Sequence, residues 1–302
     1  MTGQTRRRRA ARSDKIFDGL NLLIMLFVIT VTLYPFLNVL AISLNDSNDT
    51  VKGGIHIWPR AFTLENYDTI FAFQGLITGF RNSVLRTVIG TILGLLSGSM
   101  LAYTLSRKDF IARRFVSIFL ALTMYFSAGL IPFFILIRNL GMMNSFWVYV
   151  LPGLVSAFNV FVIRSFVDGL PYSLQESAKL DGANDFRIYW SIVLPLCKPV
   201  LATIALFLAV GQWNTWFDTY LFNSNNANLT TLQFELMKIL QSTTSGNEAQ
   251  IRGQNLLEMQ SKVSPESIKM AITMIVTVPI LLVYPFLQRY FIKGMTLGAV
   301  KS

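Results

Sequence analysis

The chain has 302 residues, 53% of them hydrophobic and 14% charged, with a mean hydropathy of +0.50, a balance that excludes an ordinary soluble domain and points to an integral membrane protein. Its net charge of +10 sits in short clusters beside apolar runs, which is the positive-inside pattern of a multi-span protein rather than a nucleic-acid surface. A single cysteine, Cys197, excludes an internal disulfide, and with one histidine, His56, no His/Cys metal site can be assembled.

Residues 1–20 carry Arg6, Arg7, Arg8, Arg9, Arg12 and Lys15 ahead of a first apolar run at 21–40. The arginines anchor this end in the cytoplasm. No small-residue cleavage site follows the run, which is longer than a signal-peptide core, so it reads as a retained span. Residues 45–78 turn polar and suit the outer face. The second span, 84–105, places Gly90, Gly94, Gly98 and Ala102 four apart on one face, where small residues allow close helix packing. A basic turn of Arg107, Lys108, Arg113 and Arg114 leads to a third span at 115–137, in which Ser127, Ala128, Gly129 and Pro132 predict a bend or loosening.

The fourth span, 146–166, contains Asn159, and Arg164 and Asp168 are spaced to pair on one helix face near its inner end. A fifth span at 195–213 runs into Gly211-Gln212-Trp213-Asn214-Thr215-Trp216. A long polar segment, 217–265, with a helix expected over 232–240, forms an outer loop. The sixth span, 268–290, precedes a basic tail at 293–302. The expected architecture is therefore an all-α integral membrane protein of six transmembrane helices with both termini cytoplasmic.

Between the fourth and fifth spans, residues 171–194 form a polar hairpin of two short helices. Ser173 and Glu176 have capping-box spacing, which predicts a helix from Leu174. Gly182 supplies the left-handed residue that ends it, and Asn184 or Asp185 caps the next helix through Phe186. A helix of about two turns is too short to stand alone and needs a surface to pack on. Ser177, Ala178 and Ala183 are small enough for close approach, while Glu176, Lys179 and Asp181 supply charge.

The run E-S-A-x-x-D-G-A-x-x-F at 176–186, continuing as I-x-L-P-x-x-x-P to Pro199, resembles the "EAA" loop of permease subunits of ABC importers, with Ser177 in place of the usual first alanine. The span count and the tail Lys293-Gly294-Met295-Thr296-Leu297-Gly298-Ala299-Val300-Lys301 extend the resemblance over most of the chain. It is similar above all to the maltose-type permeases for oligosaccharides, including those assigned to aldouronate and other polysaccharide fragments.

The resemblance implies a cytoplasmic coupling loop in a bacterial cell membrane, with Glu176, Ser177, Ala178, Asp181, Gly182, Ala183 and Phe186 facing ATP-binding cassette subunits. It also implies a second homologous permease, an external solute-binding protein, a carbohydrate substrate and a lipid surround. No cofactor is expected in this chain, ATP and Mg being held by the partner subunits.

The sequence holds no G-x-x-x-x-G-K-[ST], G-x-S-x-G, H-E-x-x-H or CxxC, so the chain is not expected to be an enzyme. An ion-coupled secondary transporter usually carries ionisable residues in its spans, whereas these spans hold mainly neutral polar residues such as Asn38, Asn159 and Thr203. That alternative and a permease for a non-sugar solute remain open at this point. For a sugar, Asn159, Gln212, Trp213, Asn214 and Trp216 are the candidate path residues, because rings stack on sugar C–H faces and amides bond hydroxyls. Interface anchoring of the tryptophans is the competing role.

Overall fold

The computed structural model describes residues 12–245 and 263–299, and these are helical with connecting turns; one isolated bridge pairs Asn45 with Phe62. Two compact units are present: Met1–Ile70 with Gly253–Met274, and Phe71–Arg252 with Ile275–Ser302.

In the first unit, α1 (Arg12–Ser43) is apolar all round, and none of its most apolar window is buried. Thr30 and Thr32 turn their hydroxyls back onto the carbonyls of Leu26 and Val28 at 2.8 and 2.7 Å, so neither hydroxyl meets lipid unpaired. Beyond it lie α2 (Ser47–Thr50) and α3 (Glu65–Phe71). Buried Asn45 and Asn66 stitch this polar segment together: Asn66 Nδ2 donates to the carbonyls of Ser43 and Asn45, and Asn45 Oδ1 accepts from the Ala61 amide.

The second unit is built on α4 (Gln74–Ser106), which packs against α7 (Ala157–Asp168), α11 (Lys198–Asn214) and α13 (Leu232–Ser245). Its small-residue face is turned inward: Gly90 lies against Gln212, Gly94 against Leu208, and Ala102 is fully buried. The expected stripe thus packs within the chain. Ala102, Leu105, Val160, Ile163, Ile188 and Ile204 form the centre of this core.

The stretch expected as a third span is two helices, α5 (Arg113–Tyr125) and α6 (Leu130–Asn139). Gly129 adopts φ +84°, outside the right-handed region, and breaks the helix there. Pro132 falls in the first turn of α6, where no intrahelical amide is required, so it starts a helix rather than kinking one. Two further breaks separate the 3-10 turns at Phe146–Tyr149 and Leu151–Gly153 from α7 by 47°, and Asp185–Leu196 from α11 by 82°. Three helices are long and apolar enough to cross a membrane, or up to five if each bent pair counts as one, among the described residues.

After α11 come α12 (Phe217–Phe222), a 3-10 turn at Ala227–Leu229 and α13, which covers the helix expected over 232–240. Asn82 Nδ2 donates to the carbonyls of Asn228 and Thr230 at 2.8 Å each, and Ser83 Oγ accepts from the Leu232 amide at 2.9 Å, lacing this segment to α4. The last helix, Pro265–Ala299, contains Pro279 and Pro285. The part of the outer loop from 246 to 262 lies outside the described residues.

A Cβ at Gly79 would come within 3.1 Å of the Leu232 nitrogen and the Thr231 carbonyl carbon, backbone atoms that cannot turn aside. Gly79→Ala is therefore expected to cost about 1–3 kcal/mol by overpacking and to lower the detergent-solubilised Tm. Gly98→Ala, whose Cβ would first meet Ile163 Cδ1 at 4.0 Å, should leave it unchanged.

Candidate functional site

Helix α8 (Ser173–Leu180) opens the hairpin, starting one residue earlier than the sequence pattern suggests. The capping box is not formed. The Glu176 amide already bonds the Tyr172 carbonyl at 3.1 Å, so it is not available to the Ser173 hydroxyl. The other end follows expectation. Gly182 has φ +80°, its amide bonds the Lys179 carbonyl at 3.0 Å, and the Ala183 amide bonds the Ala178 carbonyl at 2.9 Å, the paired bonds of a Schellman termination. Asn184 Oδ1 then accepts from the Arg187 amide at 2.8 Å and starts α9 (Asp185–Ile188), which passes through a π turn at Tyr189–Val193 into α10 (Leu194–Leu196).

This geometry sorts the expected coupling residues into two groups. Ala178 is buried and Ala183 packs on the core, while Glu176, Ser177, Asp181, Gly182 and Phe186 are exposed. Leu180 is 89% exposed, and Phe186 lies open and stacked on Trp190 with ring centroids 6.3 Å apart. The exposed edge of this short helix pair carries Leu180, Phe186 and Trp190 between charged residues, an apolar strip with a polar rim.

What holds the hairpin was not legible from its own motif. Arg107, placed by the sequence only in a basic turn, has a side chain 6% exposed. Its guanidinium donates to both oxygens of Asp109 at 3.0 and 2.6 Å and reaches Asp185 Oδ1 at 3.1 Å, with Tyr103 Oη and Gln175 Oε1 at 3.3 and 3.5 Å. Lys179 Nζ closes the cluster on Asp109 at 3.3 Å. The Arg107 hydrogen bond holds Asp109 well below the usual carboxylate range, and Arg107 is raised in turn by Asp109. A depressed carboxylate contributes stability above its unfolded value and loses it only as pH falls through the lower folded value. Asp109 therefore keeps its charge between about pH 5 and 8.

The candidate path residues lie elsewhere. Gln212, Trp213 and Asn214 end α11 and Trp216 follows just beyond it, while Asn159 stands in the first turn of α7 and shares no hydrogen bond with them among the described residues. Gln212 Oε1 accepts from Arg86 Nε at 3.1 Å, and its Nε2 donates to the Tyr149 carbonyl at 3.2 Å. Trp213 is buried against Phe80, and its indole N–H donates to the Val276 carbonyl at 3.0 Å, in the helical turn where Pro279 removes an amide. Asn214 Oδ1 accepts from Gln233 Nε2 at 3.0 Å. Trp216 joins the exposed rings of Phe217 and Tyr220 at centroid distances of 5.7 and 6.2 Å.

The description of the spans as mainly neutral needs one correction: Arg86 lies inside the second span and is 2% exposed. Its guanidinium makes a two-pronged pair with Asp218, Nη2 to Oδ2 at 2.6 Å and Nη1 to Oδ1 at 3.1 Å, donates to the Thr215 carbonyl at 3.2 Å, and lies over the Tyr149 ring at 4.5 Å. With Gln212 on Nε, the charge is answered on every side by its own chain. An arginine within an apolar span, 132 residues from its carboxylate, was the signal available in the sequence.

The described residues are helical, with helices long and apolar enough to cross a membrane and a short helical hairpin exposed along one edge, which is the make-up of an integral membrane permease. Residues 90–297 match the family of inner membrane components of binding-protein-dependent transport systems, and the chain belongs to that family. It is 38% identical over 96% of its length, and 99% of the relative's, to the polygalacturonan/rhamnogalacturonan transport system permease protein YtcP of Bacillus subtilis. It is 31% identical over 91% of its length, and 94% of the relative's, to the arabinooligosaccharides transport system permease protein AraQ of Halalkalibacterium halodurans. Its fold is similar to a chain in the crystal structure of a bacterial ABC transporter involved in the import of the acidic polysaccharide alginate, at a TM-score of 0.83 and 28% identity, covering 94% of this chain and 99% of that one.

Asp218→Asn would leave the Arg86 charge buried without a counter-charge and is expected to destabilise the chain by about 3–5 kcal/mol. Replacing both partners, Arg86→Met with Asp218→Leu, should cost less than the single change. Thermal unfolding of the solubilised variants measures the order, and a double variant less stable than Asp218→Asn would contradict it.

Proposed function

We propose that this chain is one of two related membrane subunits of an ABC importer, which together form the passage for an oligosaccharide delivered by an external binding protein. In this reading the chain crosses the membrane six times, with both termini and the 171–194 hairpin in the cytoplasm and residues 217–265 outside. ATP is hydrolysed on separate cassette subunits, in keeping with the missing phosphate-binding loop. Fragments containing uronic acids are the favoured cargo. The relative YtcP is named a polygalacturonan/rhamnogalacturonan transport system permease protein, and the similar crystal structure is that of a transporter involved in the import of the acidic polysaccharide alginate. The ledge of Trp216, Phe217 and Tyr220 beside the Asn214 amide has the ring faces and hydrogen-bonding groups that a sugar requires.

The observation that carries the reading is the hairpin. Its inner face is locked to the chain by Arg107, Asp109, Lys179 and Asp185, so a push on its outer edge is passed to the end of α4 rather than absorbed locally. Phe186 and Leu180 are left exposed for a socket on the cassette subunit. Alternating access then follows if that socket moves with nucleotide state, since a ligand shifts an equilibrium only through different contacts in its two states.

Gly182→Val tests this. No atom lies within 4 Å of the site a Cβ would occupy, so the penalty is backbone strain at φ +80°, on the order of 1 kcal/mol or more, and not a clash. Uptake of oligogalacturonides into reconstituted vesicles, and co-purification of the cassette subunits, should both fall while the external binding protein still docks. Normal recruitment with normal uptake would refute the coupling role, and uptake of a non-sugar solute alone would refute the cargo. For topology, Asn225→Cys in a Cys197→Ser background should react with an impermeant maleimide on intact cells. Labelling only after the inner membrane is opened would invert the chain.

A further inference from the structure

At the end of the bundle that bears the hairpin, α5 and α7 enclose an open cleft of about 650 Å³ lined by Phe110, Arg113, Arg114, Ser117, Ile118 and Arg164. Arg164 is held between the helices, donating from Nη1 to Ser117 Oγ at 2.7 Å and pairing from Nε with Asp168 at 3.4 Å. Arg113 and Arg114 have no carboxylate within ion-pair distance among the described residues. Here three guanidiniums converge on one cavity that a single acid cannot neutralise.

The helix itself is short of an anion. α5 begins after Ala112, whose side chain caps nothing, and its first turn carries two arginines and no acid. Cations at the positive end of the helix dipole are unfavourable unless a negative group sits among them. Ile111 and Ile118, which line the cleft, are exposed, and so are Phe115 and Phe119 further round α5. A soluble anion would leave those side chains uncovered, whereas a lipid brings both a phosphate and an acyl chain.

We infer that this cleft binds the headgroup phosphate of an anionic phospholipid in the leaflet on the hairpin side, with an acyl chain lying along the apolar face of α5. Basic pockets between membrane helices are suited to such headgroups. The site is joined to the hairpin by the turn through Arg107 and Asp109, so a lipid bound there would steady the helix that follows the hairpin's anchor.

The test uses the full chain co-purified with its partner permease and cassette subunits in dodecyl maltoside. The delipidated complex is offered equal amounts of dioleoylphosphatidylglycerol and dioleoylphosphatidylcholine, and retained lipid is counted by native mass spectrometry. Wild type should prefer phosphatidylglycerol. The double variant Arg113→Gln/Arg114→Gln should lower that retention about tenfold or more. Arg113→Lys/Arg114→Lys should keep most of it, and Arg138→Gln, on α6, should not change it. Equal retention of the two lipids, or an unaffected Gln variant, would overturn the inference. So would complete displacement by millimolar inorganic phosphate, which would mark a free-anion site, or loss of cassette subunits with lipid retention intact, which would mark a protein contact.

Discussion

Arg86 imposes the strictest condition on this molecule, because a guanidinium inside an apolar bundle is tolerated only when neighbouring groups replace the water it gave up. Asp218, Gln212, the Thr215 carbonyl and the Tyr149 ring do so, and they come from the end of α11, the start of α12 and the 3-10 turn at Phe146–Tyr149. Those are the places where the chain is not continuous helix. The broken backbone near Thr215 and the buried charge solve each other's problem: the break frees a carbonyl, and the arginine supplies the donor it lacks. Gly90 belongs to the same arrangement, since only a residue without a Cβ lets α4 approach Gln212 closely enough for Arg86 to reach across.

The hairpin follows the same logic at the edge of the membrane. Arg107 is to the helix pair what Arg86 is to the bundle, a mostly buried cation that gathers partners from separate segments. The difference lies in exposure. Asp109 and Asp185 are open to water, so each of their contacts is individually modest, and the strength of the anchor lies in one guanidinium engaging several partners. The inner face is fixed by that cluster and by Ile188 in the core, leaving the outer face free to be apolar.

The helical class, the hairpin with its left-handed glycine, the Asn184 cap and the Gly90–Ala102 face were legible in the sequence, because each is written in local spacing. The Arg164–Asp168 pair, 3.4 Å apart, was legible for the same reason. What escaped was long-range or competitive. Arg86 and Asp218 are far apart in sequence, and no periodicity joins them. The Ser173 cap lost to a backbone bond that arises only once Pro171 and Tyr172 have turned the chain. The run at 115–137 is apolar enough for one span, but hydropathy does not register that Gly129 has left the helical region. Trp213 looked like a ring offered to a sugar, and the structure places it inside, bonded to Val276.

The partners of α4 also bear on how such a chain is made. α4 ends at Ser106, yet the helix packed along its glycine face begins at Lys198, and the segment laced to its start is reached only near Leu232. A ribosome adding on the order of ten residues per second therefore leaves α4 waiting roughly ten seconds with Gly90, Arg86 and Asn82 unmatched. α1 has no such wait, since none of its apolar window is buried among the described residues and it can settle in lipid as soon as it emerges. Insertion would then be sequential at the N-terminus and delayed in the bundle, and the interval before Gln212 and Asp218 arrive is when a chaperone or the translocon has most to protect.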